Sequence, residues 1–324
     1  MAARIHAAAP APPPPHPVEA PPASFVWRRT WVDDRPALFG LAQPQVGAAG
    51  RPHAGLPVVF LHGWALGTRS YRRSIDRLVA LGCRVYTPAL PGFGGTPDLP
   101  RQRFSLVGYA DWVDGFLEAV GEDEEVFLVG HSFGGGVAIE TAYRYPERVR
   151  TLVLVNSIGG SAWQSGATLK AISERPLWDW GLHFPSDIWP LRQATTVLPV
   201  VLADALPNLV RNPRALWRVG NLARRADLTR ELNELRARKV PVVVLWGARD
   251  GVIPRAGFDA MCAALGSEGE VVDGSHSWLL ADPDRFGEVM TNHVEVAKLA
   301  RQMEQEGGRR SRNHPVFRWL RRSS

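Results

Sequence analysis

The stretch Glu125-Val126-Phe127-Leu128-Val129-Gly130-His131-Ser132-Phe133-Gly134-Gly135-Gly136-Val137-Ala138-Ile139-Glu140 decides how the chain is read. Its first part, EVFLVG at 125–130, is a short, continuous apolar run, the pattern of a strand covered on both faces. Its second part has a helical pattern that continues to about Tyr145. A sharp strand-to-helix turn at Ser132 forces the serine into a strained backbone, so the residues two before and two after it must be small. Gly130 and Gly134 meet that requirement, and Gly135 and Gly136 would let the helix lie close to the sheet. The turn also places Ser132 at a helix N-terminus, where amide N–H groups favour developing negative charge. A nucleophilic serine is the functional reading. An incidental Gly-x-Ser-x-Gly on a turn is the bland one, and the strand–turn–helix context argues against it.

Working outward, the same rhythm recurs. Strands are expected at 25–32, around 37–42, and at 56–63, 83–90, 125–130, 151–157, 241–247 and about 269–272. Helices are expected at 70–81, 106–120, 132–145, 255–265 and 283–303. Alternation of apolar strands with helices predicts an α/β fold, a mostly parallel sheet with helices on both sides. The alternation stops between Ile158 and Lys239, a gap too long for a plain loop, so residues 158–239 are expected to form an inserted helical subdomain. Residues 25–157 and 240–303 would then be the core. Residues 1–24, rich in alanine and proline with Pro12–Pro15 contiguous, read as a disordered leader.

A serine nucleophile needs a base, and the base needs an orienting acid. Asp250 lies three residues past Gly247, directly after PVVVLWG at 241–247, and His276 directly follows the last short strand. Both sit where the carboxyl ends of strands build sites in open α/β sheets. The remaining histidines fit less well: His6, His16 and His314 lie near the termini, His53 precedes a strand, His183 is in the insertion and His293 is inside a helix. His131 adjoins the serine and is expected not to turn back onto it.

His62-Gly63-Trp64, Pro91-Gly92-Phe93-Gly94-Gly95-Thr96, Gly130-His131-Ser132-Phe133-Gly134-Gly135, Trp246-Gly247-Ala248-Arg249-Asp250 and Gly274-Ser275-His276 occur in this order. On these motifs the core resembles the α/β-hydrolase superfamily. The resemblance implies a three-layer αβα sandwich on an eight-stranded, mostly parallel sheet, with a helical cap inserted after the sixth strand. It implies that Ser132, Asp250 and His276 form a triad, and that the amides of Trp64 and Phe133 form an oxyanion hole, their side chains lining the pocket. His62 is expected to hold its loop through hydrogen bonds. Serine at the elbow sets the chain apart from the aspartate of haloalkane dehalogenases and the cysteine of dienelactone hydrolases. The resemblance to perhydrolases at His-Gly-Trp is broken by Ala65, where proline is usual, and carbon–carbon hydrolases often show Gly-Asn-Ser rather than Gly-His-Ser.

The least committed expectation is hydrolysis of a small apolar ester, thioester or lactone through an acyl-enzyme. Carbon–carbon bond hydrolysis or perhydrolysis on the same residues, and a catalytically silent scaffold that binds a ligand or partner, are the alternatives. Trp163, Trp178 and Trp278 are candidate pocket walls, with packing of the aromatics among themselves as the alternative. No cofactor or metal is expected, since Cys83 and Cys262 are the only cysteines and have no metal-site spacing.

The net charge of +6 does not mark the core. Residues 309–324 hold six arginines and no acid, whereas residues 1–308 carry as many acidic as basic residues. A neutral body predicts no nucleic-acid partner. The tail, with Phe317 and Trp319 among its arginines, is expected to be solvated, or to touch an anionic membrane surface weakly. With no apolar run of roughly 20 residues and no secretory pattern, a cytoplasmic protein, in the second case peripheral to the inner face of the membrane, is the expectation. The oligomeric state is left open.

Overall fold

The computed structural model describes residues 24–44, 55–160 and 191–307. The leader before Ser24, Trp163, Trp178 and the arginine-rich tail lie outside the described residues. Eight strands form one sheet: β1 (Ser24–Val32), β2 (Arg35–Gln43), β3 (Leu56–Leu61), β4 (Cys83–Pro88), β5 (Val126–His131), β6 (Val149–Val155), β7 (Val242–Gly247) and β8 (Glu270–Val272). Their spatial order is β1-β2-β4-β3-β5-β6-β7-β8. β1 and β2 pair antiparallel and β2 meets β4 antiparallel, while all other neighbours are parallel.

The apolar runs are continuous because the central strands are buried on both faces, and the strand period of two divides their side chains between two cores. In β5, Val126 and Leu128 pack into one core and Phe127 and Val129 into the other. In β6, Leu152 and Leu154 join the first while Val153 and Val155 join the second. The first core is covered by α2 (Leu106–Val120), α3 (Phe133–Arg144), α6 (Thr229–Ala237) and α7 (Arg255–Leu265). The second is covered by α1 (Arg72–Ala80), the short α8 (Trp278–Ala281) and α9 (Pro283–Gly307). α9 runs four residues beyond the expected Met303.

Between β6 and β7 the described residues form α4 (Leu191–Arg211), α5 (Pro213–Arg224) and α6. Asn212 begins α5 by accepting the amide of Ala215 on its side-chain oxygen at 3.1 Å, with Pro213 supplying the preset backbone of the first turn. Among the described residues no helix is long and apolar enough to cross a membrane.

One ionic contact lies inside this apolar frame. Arg84 of β4 and Glu122, just after α2, meet at 2.6 Å with both side chains 3% exposed. Removing one partner of such a pair strands the other charge in the interior. Glu122→Ala is therefore expected to lower unfolding free energy by about 3–5 kcal/mol. Arg84→Met/Glu122→Leu should recover most of that loss, and urea titrations of the three proteins are the check.

Candidate active site

Ser132 stands between β5 and α3 with φ 54° and ψ −117°, a left-handed backbone that a side chain adopts only at a cost of about 1–3 kcal/mol. Hydrogen bonds on both sides hold it there. Its N–H donates to Val155 O at 3.0 Å, and its carbonyl accepts the amides of Gly135 at 3.0 Å and Ile158 at 3.2 Å. The flanking glycines answer a steric requirement. A Cβ on Gly134 would collide with the Leu61 and His62 carbonyls, and one on Gly135 with the Ser157 side chain.

His276 Nε2 lies 3.0 Å from Ser132 Oγ, and His276 Nδ1 lies 2.9 Å from Asp250 Oδ2. The Asp250 side chain has no exposed surface. Its Oδ1 accepts the amides of Val252 at 2.7 Å and Ile253 at 2.8 Å, and its Oδ2 accepts Asn156 Nδ2 at 2.5 Å. Four donors thus converge on two oxygens, which suits a carboxylate and makes Nδ1 of His276 the protonated nitrogen. Nε2 is left to accept the Ser132 hydroxyl proton. The three residues come from the carboxyl ends of β5, β7 and β8, and the structure brings them together in one row.

Two contributors escaped sequence reasoning. Asn156, at the end of β6, donates to Asp250 and accepts Trp278 Nε1 at 2.9 Å. A polar residue ending an apolar strand beside the nucleophile strand was the available signal. Trp278 is therefore not a pocket wall: it is 2% exposed, packs on Phe286 and orients the Asn156 amide. The second contributor is His131. Because a carbonyl can only accept, its Nε2–H donates to His276 O at 3.0 Å, and its Nδ1 accepts the Tyr71 hydroxyl at 2.8 Å. The Tyr71 oxygen in turn accepts the Gly63 amide at 3.0 Å. A directed chain thus links the loop after β3 to the backbone of His276. Burial, then the neighbouring His276, pushes the His131 pKa down to about 3, and burial pushes that of Tyr71 up. The chain keeps one protonation state across ordinary pH.

His62 holds the loop after β3. Its Nε2 accepts the Leu90 amide at 2.9 Å, so its Nδ1–H donates to Gly63 O at 2.9 Å, and burial lowers its pKa. Gly63 lies against Ser132, with an added Cβ falling 3.4 Å from the serine Cβ. Trp64 follows it and donates its indole N–H to Leu216 O of α5 at 2.7 Å. Phe133 is the first residue of α3, but its side chain does not line the pocket. It is fully buried, edge-on to Tyr109 at 5.2 Å, because the turn of the helix aims it into the core.

Ser132 and His276 open into a cavity of about 460 Å³, walled by Trp64, by Leu202, Leu206 and Leu209 of α4, by Leu216 of α5 and by Val252. Among its described lining residues none is Asp, Glu, Lys or Arg. No cluster of three or more His, Cys, Asp or Glu suited to a metal ion occurs among the described residues.

The alpha/beta hydrolase family profile matches residues 58–289, and the chain belongs to that family. A protein of Mycobacterium phage D29, named as a non-heme haloperoxidase, is 29% identical over 245 residues, covering 71% of this chain and 84% of its own. The 2-hydroxymuconate semialdehyde hydrolase of Pseudomonas sp. (strain CF600) is 38% identical over 110 residues, 33% of this chain and 38% of its own. The crystal structure of an esterase from Rhodococcus sp. ECU1013 superposes with a TM-score of 0.63 at 21% identity, covering 83% of this chain and 98% of that one. That likeness is one of fold. The family and its relatives make this chain a hydrolase.

The two buried histidines set a pH dependence of stability. Both have folded pKa values below the ordinary 6.5, so below about pH 6.5 the unfolded chain binds protons that the folded chain does not. The contribution of these two groups is complete above that pH and is lost on acidification, for His131 down to about pH 3, by at most about 1.4 kcal/mol per pH unit for each histidine. Urea titrations between about pH 7 and 4.5 should show this slope, and His131→Asn should make it shallower.

Proposed function

We propose that the chain is a serine esterase for small, uncharged, apolar carboxylic esters. The observation that carries this reading is the Ser132–His276–Asp250 row, at 3.0 and 2.9 Å, opening on a cavity whose described walls carry no Asp, Glu, Lys or Arg. His276 Nε2 takes the Ser132 proton as Oγ attacks the ester carbonyl, and Asp250 stabilises the imidazolium through Nδ1–H. The tetrahedral oxyanion is held by the amides of Trp64 and Phe133, each worth about 10²–10³ in rate. Collapse breaks the carbon–oxygen bond, and the alcohol leaves with the proton from His276. Water, deprotonated by His276, then attacks the acyl-serine and releases the acid and the free serine.

The cavity supports this reading over carbon–carbon hydrolysis of a muconate-type acid. Among the described lining residues leucines face the serine and no Lys or Arg does, so a carboxylate placed against them would bear its desolvation cost. The 2-hydroxymuconate semialdehyde hydrolase of Pseudomonas sp. (strain CF600) also aligns with only a third of this chain. A thioester or lactone would use the same steps.

p-Nitrophenyl esters of increasing chain length are the test. Wild type should hydrolyse them, with kcat/KM rising as the acyl chain fills the leucine wall. Ser132→Ala should lose at least about 10³-fold in kcat, and activity surviving in it would overturn the nucleophile. Labelling of Ser132 by a fluorophosphonate separates an enzyme with an untried substrate from a silent scaffold.

Tyr71→Phe removes only the hydroxyl that joins Gly63 to His131. As a positioning residue acting through both loops, it should lower kcat by about 10-fold or more with KM nearly constant. A change confined to thermal stability would reduce Tyr71 to a structural role.

A further inference from the structure

α4 has a second face. While Leu202, Leu206 and Leu209 look into the catalytic cavity, Asp204, Asn208 and Arg211 of the same helix line a separate cleft of about 490 Å³. Helical spacing assigns the two sets to different sides. Across the cleft lie Trp27 and Arg29 of β1 and Arg69, with Gly67 and Gly94 also in its lining.

The charge in this cleft is unbalanced. Arginines elsewhere, such as Arg72, Arg84, Arg148 and Arg301, lie on carboxylates. Among the described residues Arg28, Arg29, Arg69 and Arg211 have no carboxylate within 4.0 Å. Arg69 is instead held over the Trp27 ring at 5.7 Å. The carboxylate of Asp204 is already engaged, its Oδ2 accepting both the amide and the hydroxyl of Ser70 at 2.7 Å. Neighbouring strand residues point to opposite faces, so Arg29 shares the cleft side of β1 with Trp27 and Arg28 does not. Among the described residues, the guanidinium groups of Arg29, Arg69 and Arg211 around one engaged carboxylate leave a surplus of two positive charges about a concave site. Planar guanidinium forks match the oxygens of phosphate and carboxylate.

We propose that this cleft is an anion site, binding the phosphate or carboxylate group of a small molecule at a place distinct from the catalytic cavity. The site also touches the catalytic loop. Asn208 donates to Ala65 O at 3.0 Å and accepts the Gly94 amide at 3.0 Å, so the helix that lines the cleft is tied to the segment following Trp64. An anion drawn between Arg69 and Arg211 stiffens the helix that walls both spaces.

Isothermal titration of inorganic phosphate into the full chain tests the proposal. Binding of about millimolar strength is expected at low salt, and it should weaken as ionic strength rises. Ser132→Ala protein should bind phosphate equally, so the site stands or falls independently of the esterase reading. The Arg29→Gln/Arg69→Gln/Arg211→Gln protein should bind at least about 10-fold more weakly while keeping the wild-type melting temperature and kcat/KM on a neutral ester. Absence of phosphate binding to wild type, or equal binding by the triple variant, overturns the proposal.

The source of the anion follows from two esters of equal length, one ending in a methyl group and one in a carboxylate. Once phosphate binding is established, a KM that rises in the triple variant for the carboxylate-ended ester alone assigns the anion to the substrate. An unchanged KM for both assigns it to a free ligand.

Discussion

The close crossing of α3 over the end of β3 is the constraint on which the rest depends. Gly134 passes so near the carbonyls of Leu61 and His62 that no side chain fits between them. That approach turns Ser132 out of both the sheet and the helix with its backbone at φ 54°. It also brings the His62-Gly63-Trp64 segment alongside the serine. The strain at one residue is repaid by the packing of strand, helix and loop around it, through apolar cores on both sides of β5. The packing that sets the backbone of Ser132 is therefore the packing that sets the segment beside it.

Around the serine, orientation is maintained by groups whose protonation does not change. His62 and His131 are neutral because burial disfavours their charged forms, and each nitrogen has one partner that dictates its role. Three of the four donors on Asp250 are groups other than His276. The imidazole of His276 thus sits between a fixed acceptor and Ser132, while the residue's own carbonyl is held by His131. The same low-dielectric surroundings would make any one of these polar groups costly to leave alone.

Most of this frame was legible in the sequence because its signals are local. Continuous apolar runs marked the strands, and the glycines around Ser132 marked the turn. Asp250 and His276 were found from chain order and from their places just after strands. What escaped is set by distances across the fold. Nothing near Trp278 in sequence says that its indole reaches Asn156, 122 positions away, and an aromatic residue beside a candidate base reads as a pocket wall. Phe133 was misread for a related reason, since the helical phase that aims its ring at Tyr109 depends on how α2 lies against α3. The arginine cleft was hidden likewise, because β1, the loop before α1 and the end of α4 meet only in three dimensions.

Asn156 has one further consequence, which concerns chemical ageing. Its amide nitrogen faces Asp250 and its oxygen faces the Trp278 indole, so the two ends of the group are not interchangeable. Hydrolysis of that amide would change the shape of the side chain very little. It would nevertheless put a second carboxylate against the first, and the two would have to share a proton. Such a change at this fully buried position would leave Ser132 and His276 unchanged in sequence beside an acid less able to hold the histidine as before. Full burial and a partner at each end of the amide are what shield this position from that change.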